Sequence, residues 1–384
     1  MAIAEVAQQP DIGYTPDHDK YLAPVQRRLK GDNLDKTLPP SFSTELKSDL
    51  VWDNTDIADR FDWTYEPTAT DLEEIEKALQ HFKSLGKSLE YVDQEAFPLP
   101  NLHSKLGIIS MRSTTPLALR LSAVSLCLLI REEIIITYAG IASHIAPIRG
   151  RQHNQYDEKL ADVVLNHIKD LSKVYDANKI GAPAYTTDKQ VFHTDSGHVI
   201  ALPSLEEAAE GGESKLRSSW RVYKELAHTR PDLIRTLAEP WPAENFGDKT
   251  KPYVSRPLLH HQPSTSTSRG RLIIQCAHRT FTGFQGLPHS RDISPITEAQ
   301  AEALDALHFL VEKRWQFANN LSIFHARDGF TNTEEMQRYL VRLWLRDSEN
   351  TWEKVYGGVK EERQDFPLEP YIRNASLGAG GESK

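Results

Sequence analysis

The chain has 384 residues, 39% of them hydrophobic and 26% charged, a globular composition with enough apolar mass for a sizeable core. The net charge of −9 arises from acidic and basic residues mixed along the sequence, so no basic stripe advertises a nucleic-acid partner. Two cysteines, Cys127 and Cys276, are too few for a disulfide framework or zinc-finger spacing and fit a reducing compartment.

Residues 1–67 are rich in Asp, Pro and Lys with weak periodicity, which predicts an irregular arm wrapped on the body. Met1 to Pro10 lacks the basic region and apolar run of a secretory signal. The most apolar stretch, Leu117 to Ile130, is interrupted by Arg120 and closed by Arg131-Glu132-Glu133, short of the roughly 20 residues a span needs. The expectation is a cytoplasmic protein without a membrane segment.

A helix is predicted from Thr70, with Thr70-x-x-Glu73 as its capping box, Leu72, Ile75, Leu79 and Phe82 as its buried face and Gly86 as its stop. A second amphipathic helix is predicted over Asp157 to Tyr175, burying Leu160, Val164, Ile168 and Leu171. Short strand-like runs follow at Gln190 to Phe192, Val199 to Leu202, Arg271 to Cys276, Asn320 to Phe324 and Tyr339 to Leu345. Helices intervene at Ser218 to Ala227 and at Glu298 to Lys313, the latter opened by Thr297-x-x-Gln300. This pattern suits a mainly β (α+β) fold, a distorted barrel or jelly roll with flanking helices, better than a regular βαβ alternation. Three segments result: the arm, a body over 68–359 with helical insertions, and a Gly-rich flexible tail over 360–384.

Chemistry concentrates late in the chain. His193-Thr194-Asp195 follows a strand-like approach, and residues two apart in an extended segment point to one side, so an imidazole and a carboxylate can meet one cation. His325, closing the apolar run Leu321 to Phe324, is the best candidate for a third ligand. Two histidines and one carboxylate leave open coordination positions, the arrangement of iron(II) oxygenases. An H-x-D triplet alone is common by chance, and a satisfied core histidine is its bland alternative. The histidines at His81, His228 and His289 lie in charged or turn-like surroundings and are assigned to the surface. Arg342 lies on one strand face with Leu340 and Trp344, and a guanidinium among apolar neighbours needs an anion. That anion is either a protein carboxylate in a structural ion pair or the far end of a bound dicarboxylate.

Several motifs in this order resemble the taurine dioxygenase/trimethyllysine dioxygenase-like family of iron(II)- and 2-oxoglutarate-dependent oxygenases, in particular its fungal members. They are His193-Thr194-Asp195, Gly211-Gly212-Glu213-Ser214, Ser219-Trp220-Arg221-Val222-Tyr223, Asn319 to His325, and Arg338-Tyr339-Leu340-Val341-Arg342, within about Tyr138 to Val359. The resemblance implies a double-stranded β-helix, with Fe(II) bound by His193, Asp195 and His325. It implies that Ser214 and Arg342 hold 2-oxoglutarate, with Arg338 a weaker candidate for the same region. The implied reaction consumes O2 and 2-oxoglutarate and oxidises a C–H bond, by hydroxylation or by desaturation or ring closure. Its substrate would be a small amino-acid-like, sulfonate-like or secondary-metabolite molecule. Self-association into a homo-oligomer is compatible with the sequence.

Two departures from the family pattern stand out. Val311 to Phe317 passes directly into Ala318-Asn319-Asn320, so one strand before the distal histidine is absent from the pattern, and Ser113 to Arg131 lacks the usual strand, Gly turn and polar loop. These make a catalytically silent jelly-roll protein with a vestigial metal site the rival reading. Zinc hydrolysis ranks last, because no general base stands beside the ligands as it does in H-E-x-x-H proteins. Candidates for substrate contact are Ser196, His198, Ile323, Phe324 and Arg327; Ile323 and Phe324 also read as core, and Arg327 as a surface ion pair near Asp328.

Overall fold

The computed structural model describes residues 8–31, 34–52, 64–111, 118–119, 130–156, 159–246, 250–262, 270–312, 322–347, 355–356 and 359–360. The helices that matter below are α1 (His18–Gly31), α2 (Ala69–Ser84), α3 (Leu102–Met111), α4 (Arg131–Ile145), α5 (Ser219–Thr229), α6 (Pro231–Ala238), α7 (Arg279–Thr282) and α8 (Glu298–Glu312). The strands are β1 (Ile148–Arg149), β2 (Asn166–Lys169), β3 (Gln190–His193), β4 (Val199–Ala201), β5 (Ser204–Glu206), β6 (Glu210–Gly211), β7 (Ser214–Ser218), β8 (Leu259–Gln262), β9 (Arg271–Ile274), β10 (Ile323–Arg327), β11 (Phe330–Thr331) and β12 (Tyr339–Arg346).

Tyr339–Arg346 alternates well enough to be the longest of these strands, and it gathers β1, β2, β4 and β5 around itself, all antiparallel. Val341, Leu343 and Leu345, two apart and fully buried, pack with Ala142, Ala146 and Leu165. A second sheet is shorter: β10 lies between β7 and β3, again antiparallel. Its Phe192 and Phe324 join the largest core with Trp220 and Tyr223 of α5, Leu233 of α6, Leu272 of β9 and Leu304 and Leu307 of α8. A third cluster fills the space between α2, α3 and α4 through Ile75, Phe82, Leu106 and Ile136.

The arm is less irregular than its composition suggests, because 18–31 form α1. It is fixed to the body by charge: Arg28 and Arg230 both reach Glu302 of α8, and Arg230 also holds Asp232 at 2.8 and 2.7 Å. Glu302 is almost fully buried, and a buried acidic side chain needs such partners. Helix α2 begins two residues earlier than predicted, since Thr68 and Asp71, not Thr70 and Glu73, form the capping box. Gly86 follows its end at φ +60°.

The helix predicted over Asp157 to Tyr175 is absent. Gln152–Tyr156 and Lys159–Val163 form a hairpin, and β2 pairs with β12, Asn166 opposite Arg342. Leu160, Val164 and Ile168 are four apart, a spacing that satisfies period two as readily as 3.6, and β-branched residues with tertiary pairing decide for the strand. Elsewhere the predicted strands and helices stand within a few residues, and Thr297 and Gln300 bond each other's backbone N–H as the capping box requires. The shortened segment before the distal histidine, most of Ser113 to Arg131, Cys127 and residues 361–384 lie outside the described residues. Among the described residues no helix is long and apolar enough to cross a membrane.

Candidate metal centre

The two histidines singled out in the sequence are direct cross-strand partners, His325 of β10 opposite His193 of β3. Their rings lie 4.0 Å apart between centroids, and His325 Nε2 is 3.7 Å from Asp195 Oδ2. One ligand atom from each of His193, Asp195 and His325 falls within 4.8 Å of the others, the only such group among the described residues. His325 stands in the middle of its strand, since β10 runs from Ile323 to Arg327 and starts later than the predicted Asn320 to Phe324.

Main-chain bonds hold the H-x-D segment. Thr194 N donates to Cys276 O at 2.8 Å, Cys276 N donates to Thr194 Oγ1 at 2.9 Å, and Gln275 Nε2 donates to Asp195 O at 3.4 Å. Cys276 is thus a buried structural thiol, its pKa raised to about 12 by burial. His193 Nδ1 lies 2.8 Å from Val191 O, and because a carbonyl only accepts, this nitrogen carries the proton and Nε2 keeps its lone pair. Gln190 Nε2 is 3.0 Å from that Nε2.

Burial lowers the pKa of both imidazoles, that of His325 to about 3, so both rings are neutral at physiological pH. Burial alone would raise the Asp195 pKa, but the charge of the Arg342 guanidinium beside it lowers it and holds the carboxyl ionised. His325 Nε2 is buried without a hydrogen-bond partner among the described residues. Two neutral imidazoles, one with an orphaned ring nitrogen, and one ionised carboxylate are the donor set a divalent cation takes, and the residues fit the group.

Arg342 meets a protein carboxylate. Its Nη1 donates to both Asp195 oxygens at 3.2 and 3.1 Å, and its Nε donates to Gln152 Oε1 at 2.8 Å. Gln152 is held in turn by Asn166 Nδ2, and Asn166 by the Tyr185 hydroxyl. The structural ion pair is therefore present, and it is made with the carboxylate of the cluster itself. Arg338 stacks 5.4 Å from the Phe330 ring, with no ion pair to a described carboxylate, and burial lowers its pKa to about 10. It lies against Gly212, where an added Cβ would stand 3.2 Å from its side chain. Neighbouring Gly211 must be glycine, since φ is +76° and a Cβ would come within 2.4 Å of Gly329 O. Ser214 is exposed at the start of β7, opposite Arg327.

Other sequence readings change. Ile323 and Phe324 are core residues. Arg327 is not at the surface: it is buried and donates to the carbonyls of Thr186, Pro183 and Asp188, while Lys215 is the partner of Asp328. His198 is buried, with its N–H on Leu345 O, and Ser196 is half-buried. His81 and His228 are exposed, but His289 is half-buried. Gln152, Gln190 and Cys276 are not marked as site residues by the sequence, because isolated polar residues outside a motif carry no local signal of a tertiary partner.

Residues 140–344 match the family model described as taurine catabolism dioxygenase TauD, TfdA family. The chain belongs to the TauD/TfdA dioxygenase family. "Taurine hydroxylase-like protein SAT17" of Stachybotrys chartarum (strain CBS 109288 / IBT 7711) is 33% identical over 363 residues, covering 87% of this chain and 88% of that protein. Among solved structures, asparagine oxygenase in complex with Fe(II), 2S,3S-3-hydroxyasparagine and succinate superposes with a TM-score of 0.53 at 13% identity, over 74% of this chain and 93% of that one. At that identity the likeness is one of fold. As a TauD/TfdA member the chain is a non-haem iron dioxygenase that uses 2-oxoglutarate, as its motifs implied.

Proposed function

We propose that this TauD/TfdA dioxygenase holds iron(II) through His193, Asp195 and His325 and oxidises a C–H bond of a small amino-acid-like or sulfonate-like molecule. The observation that carries this reading is the convergence of those three side chains, with the orphaned His325 nitrogen among them. The antiparallel strands around them are read as a double-stranded β-helix, which the fold likeness to asparagine oxygenase supports.

Iron(II) in a two-histidine, one-carboxylate site keeps coordination positions open and supplies the oxygen activation that side chains cannot. The rest falls to the chain. His193 and His325 offer neutral lone pairs, one fixed by the Val191 carbonyl. Asp195 offers a charge that Arg342 keeps ionised. Because the Arg342 fork is engaged by Asp195 and Gln152, Arg338 is the better anchor for the distal carboxylate of 2-oxoglutarate, with Ser214, two residues after the Gly212 that Arg338 lies against, as a hydroxyl partner. The name of the fungal relative and the hydroxyasparagine in the asparagine oxygenase structure support the substrate class. The catalytically silent alternative is not favoured, since all three ligand side chains are present and converge.

The test is succinate release from 2-oxoglutarate with Fe(II), against a panel of amino acids and taurine, for the native chain and His193→Ala. Succinate formation that depends on His193 is expected. Absence of both metal binding and succinate in the native chain would sink the proposal.

A further inference from the structure

We propose that Tyr14 of the N-terminal arm is a positioning residue for the metal centre, acting through Val191 on the ring of His193. The inference rests on the reading of His193 as a metal ligand. Among the described residues strand β3 is the outer strand of its sheet, bonded to β10 on one side only. Val191, in its middle, is buried to 1% exposure, so its N–H cannot turn to water and must find an acceptor in the protein. That acceptor is the Tyr14 hydroxyl, at 3.2 Å. On its other side the same residue's carbonyl receives His193 Nδ1 at 2.8 Å, which fixes the ring's tautomer and the direction of Nε2. Outer partners of this kind tune a ligand without touching the metal. Here the first link is an ordinary ladder-type carbonyl, and the second comes from a segment far away in sequence.

The arm is itself held where this contact needs it. The Tyr14 ring meets Phe284 edge-on at 4.9 Å, and the Gln9 side chain donates to Phe281 O at 3.1 Å and accepts from Ile296 N at 3.2 Å. Gln9 and Tyr14 thus bracket a short strap that joins the turn after α7 to the ligand strand. Tyr14 lies outside residues 140–344, so the contact belongs to this chain's arm and not to the part that matches the family.

The test uses the full chain and Co(II) as probe, with Tyr14→Phe, which keeps the ring on Phe284 and removes only the hydroxyl. Expected are faster amide exchange at Val191 and Co(II) binding weakened roughly tenfold, the lower end for loss of an outer-shell partner, with cooperative melting retained. Gln9→Ala should act in the same direction and more weakly. Loss of melting temperature with native Co(II) affinity would mean a structural role only and overturn the proposal. The His193→Ala control separates the two readings. If it abolishes Co(II) binding while Tyr14→Phe binds as the native chain does, the positioning role fails and the metal reading stands; if it leaves Co(II) binding intact, both fail.

Discussion

The sheet around β12 and the sheet of β7, β10 and β3 are both antiparallel, yet they are stabilised in opposite ways. The first is held from within: a long central strand, neighbours on both edges, and a row of buried Val341, Leu343 and Leu345. Among the described residues the second is short and open along β3, and it depends on bonds to other segments: Cys276 on Thr194, Tyr14 on Val191, and Arg327 of its own β10 on the carbonyls of 183, 186 and 188. A ligand strand that adds specific bonds to the burial of Phe192 can present polar atoms inward at a fixed angle. The cost is dependence on single side chains.

The contrast can be broken by substitution. Leu343→Ala, in the apolar sheet, should cost about 2–5 kcal/mol of stability by transfer and cavity terms, measured by urea unfolding, while the folded fraction keeps its native Co(II) affinity. Arg327→Met keeps much of the side-chain volume but removes a donor from the carbonyls of Thr186, Pro183 and Asp188. It should cost about 1–3 kcal/mol and, unlike Leu343→Ala, weaken Co(II) binding and loosen amide exchange over 183–193. Equal metal affinities in the two variants would erase the distinction between the sheets.

The smallest effect is expected away from both. Asp71 caps α2 and is held by Lys105 at 2.7 Å. Burial raises its pKa, but bonds from Lys105, Thr68 and Tyr65 outweigh that and leave the folded carboxyl below its ordinary value. Its contribution is therefore full above the unfolded pKa of roughly 3.9 and is lost as pH falls through the folded value. Asp71→Asn should cost about 1 kcal/mol at pH 7, with the difference from the native chain shrinking below about pH 4 and Co(II) affinity unchanged throughout.

What the sequence revealed follows the same division. The H-x-D pair, the distal histidine and the strands that carry them were legible because two-residue spacing and motif order are local properties. The direction of Arg342 was not, since a fork among apolar neighbours needs an anion and the sequence does not say whose. The helix misread over Asp157 to Tyr175 failed on a spacing of four shared by both periodicities, and β2 exists because β12 is there to pair with it. The bonds from Tyr14 to Val191, from Arg342 to Gln152 and from Arg327 to the carbonyls of 183, 186 and 188 join distant segments through isolated polar residues, and no window of sequence contains both ends of any of them.

His325 and His193 face each other across a ladder of backbone bonds, so their separation is set by pairing and not by the length of chain that connects them. Insertions and deletions between the ligands can therefore be absorbed in loops without moving the site. A slide of one residue is different in kind, because it would turn His325 to the opposite face at once. The centre is thus buffered against gradual change in length and exposed to a single-step loss of phase.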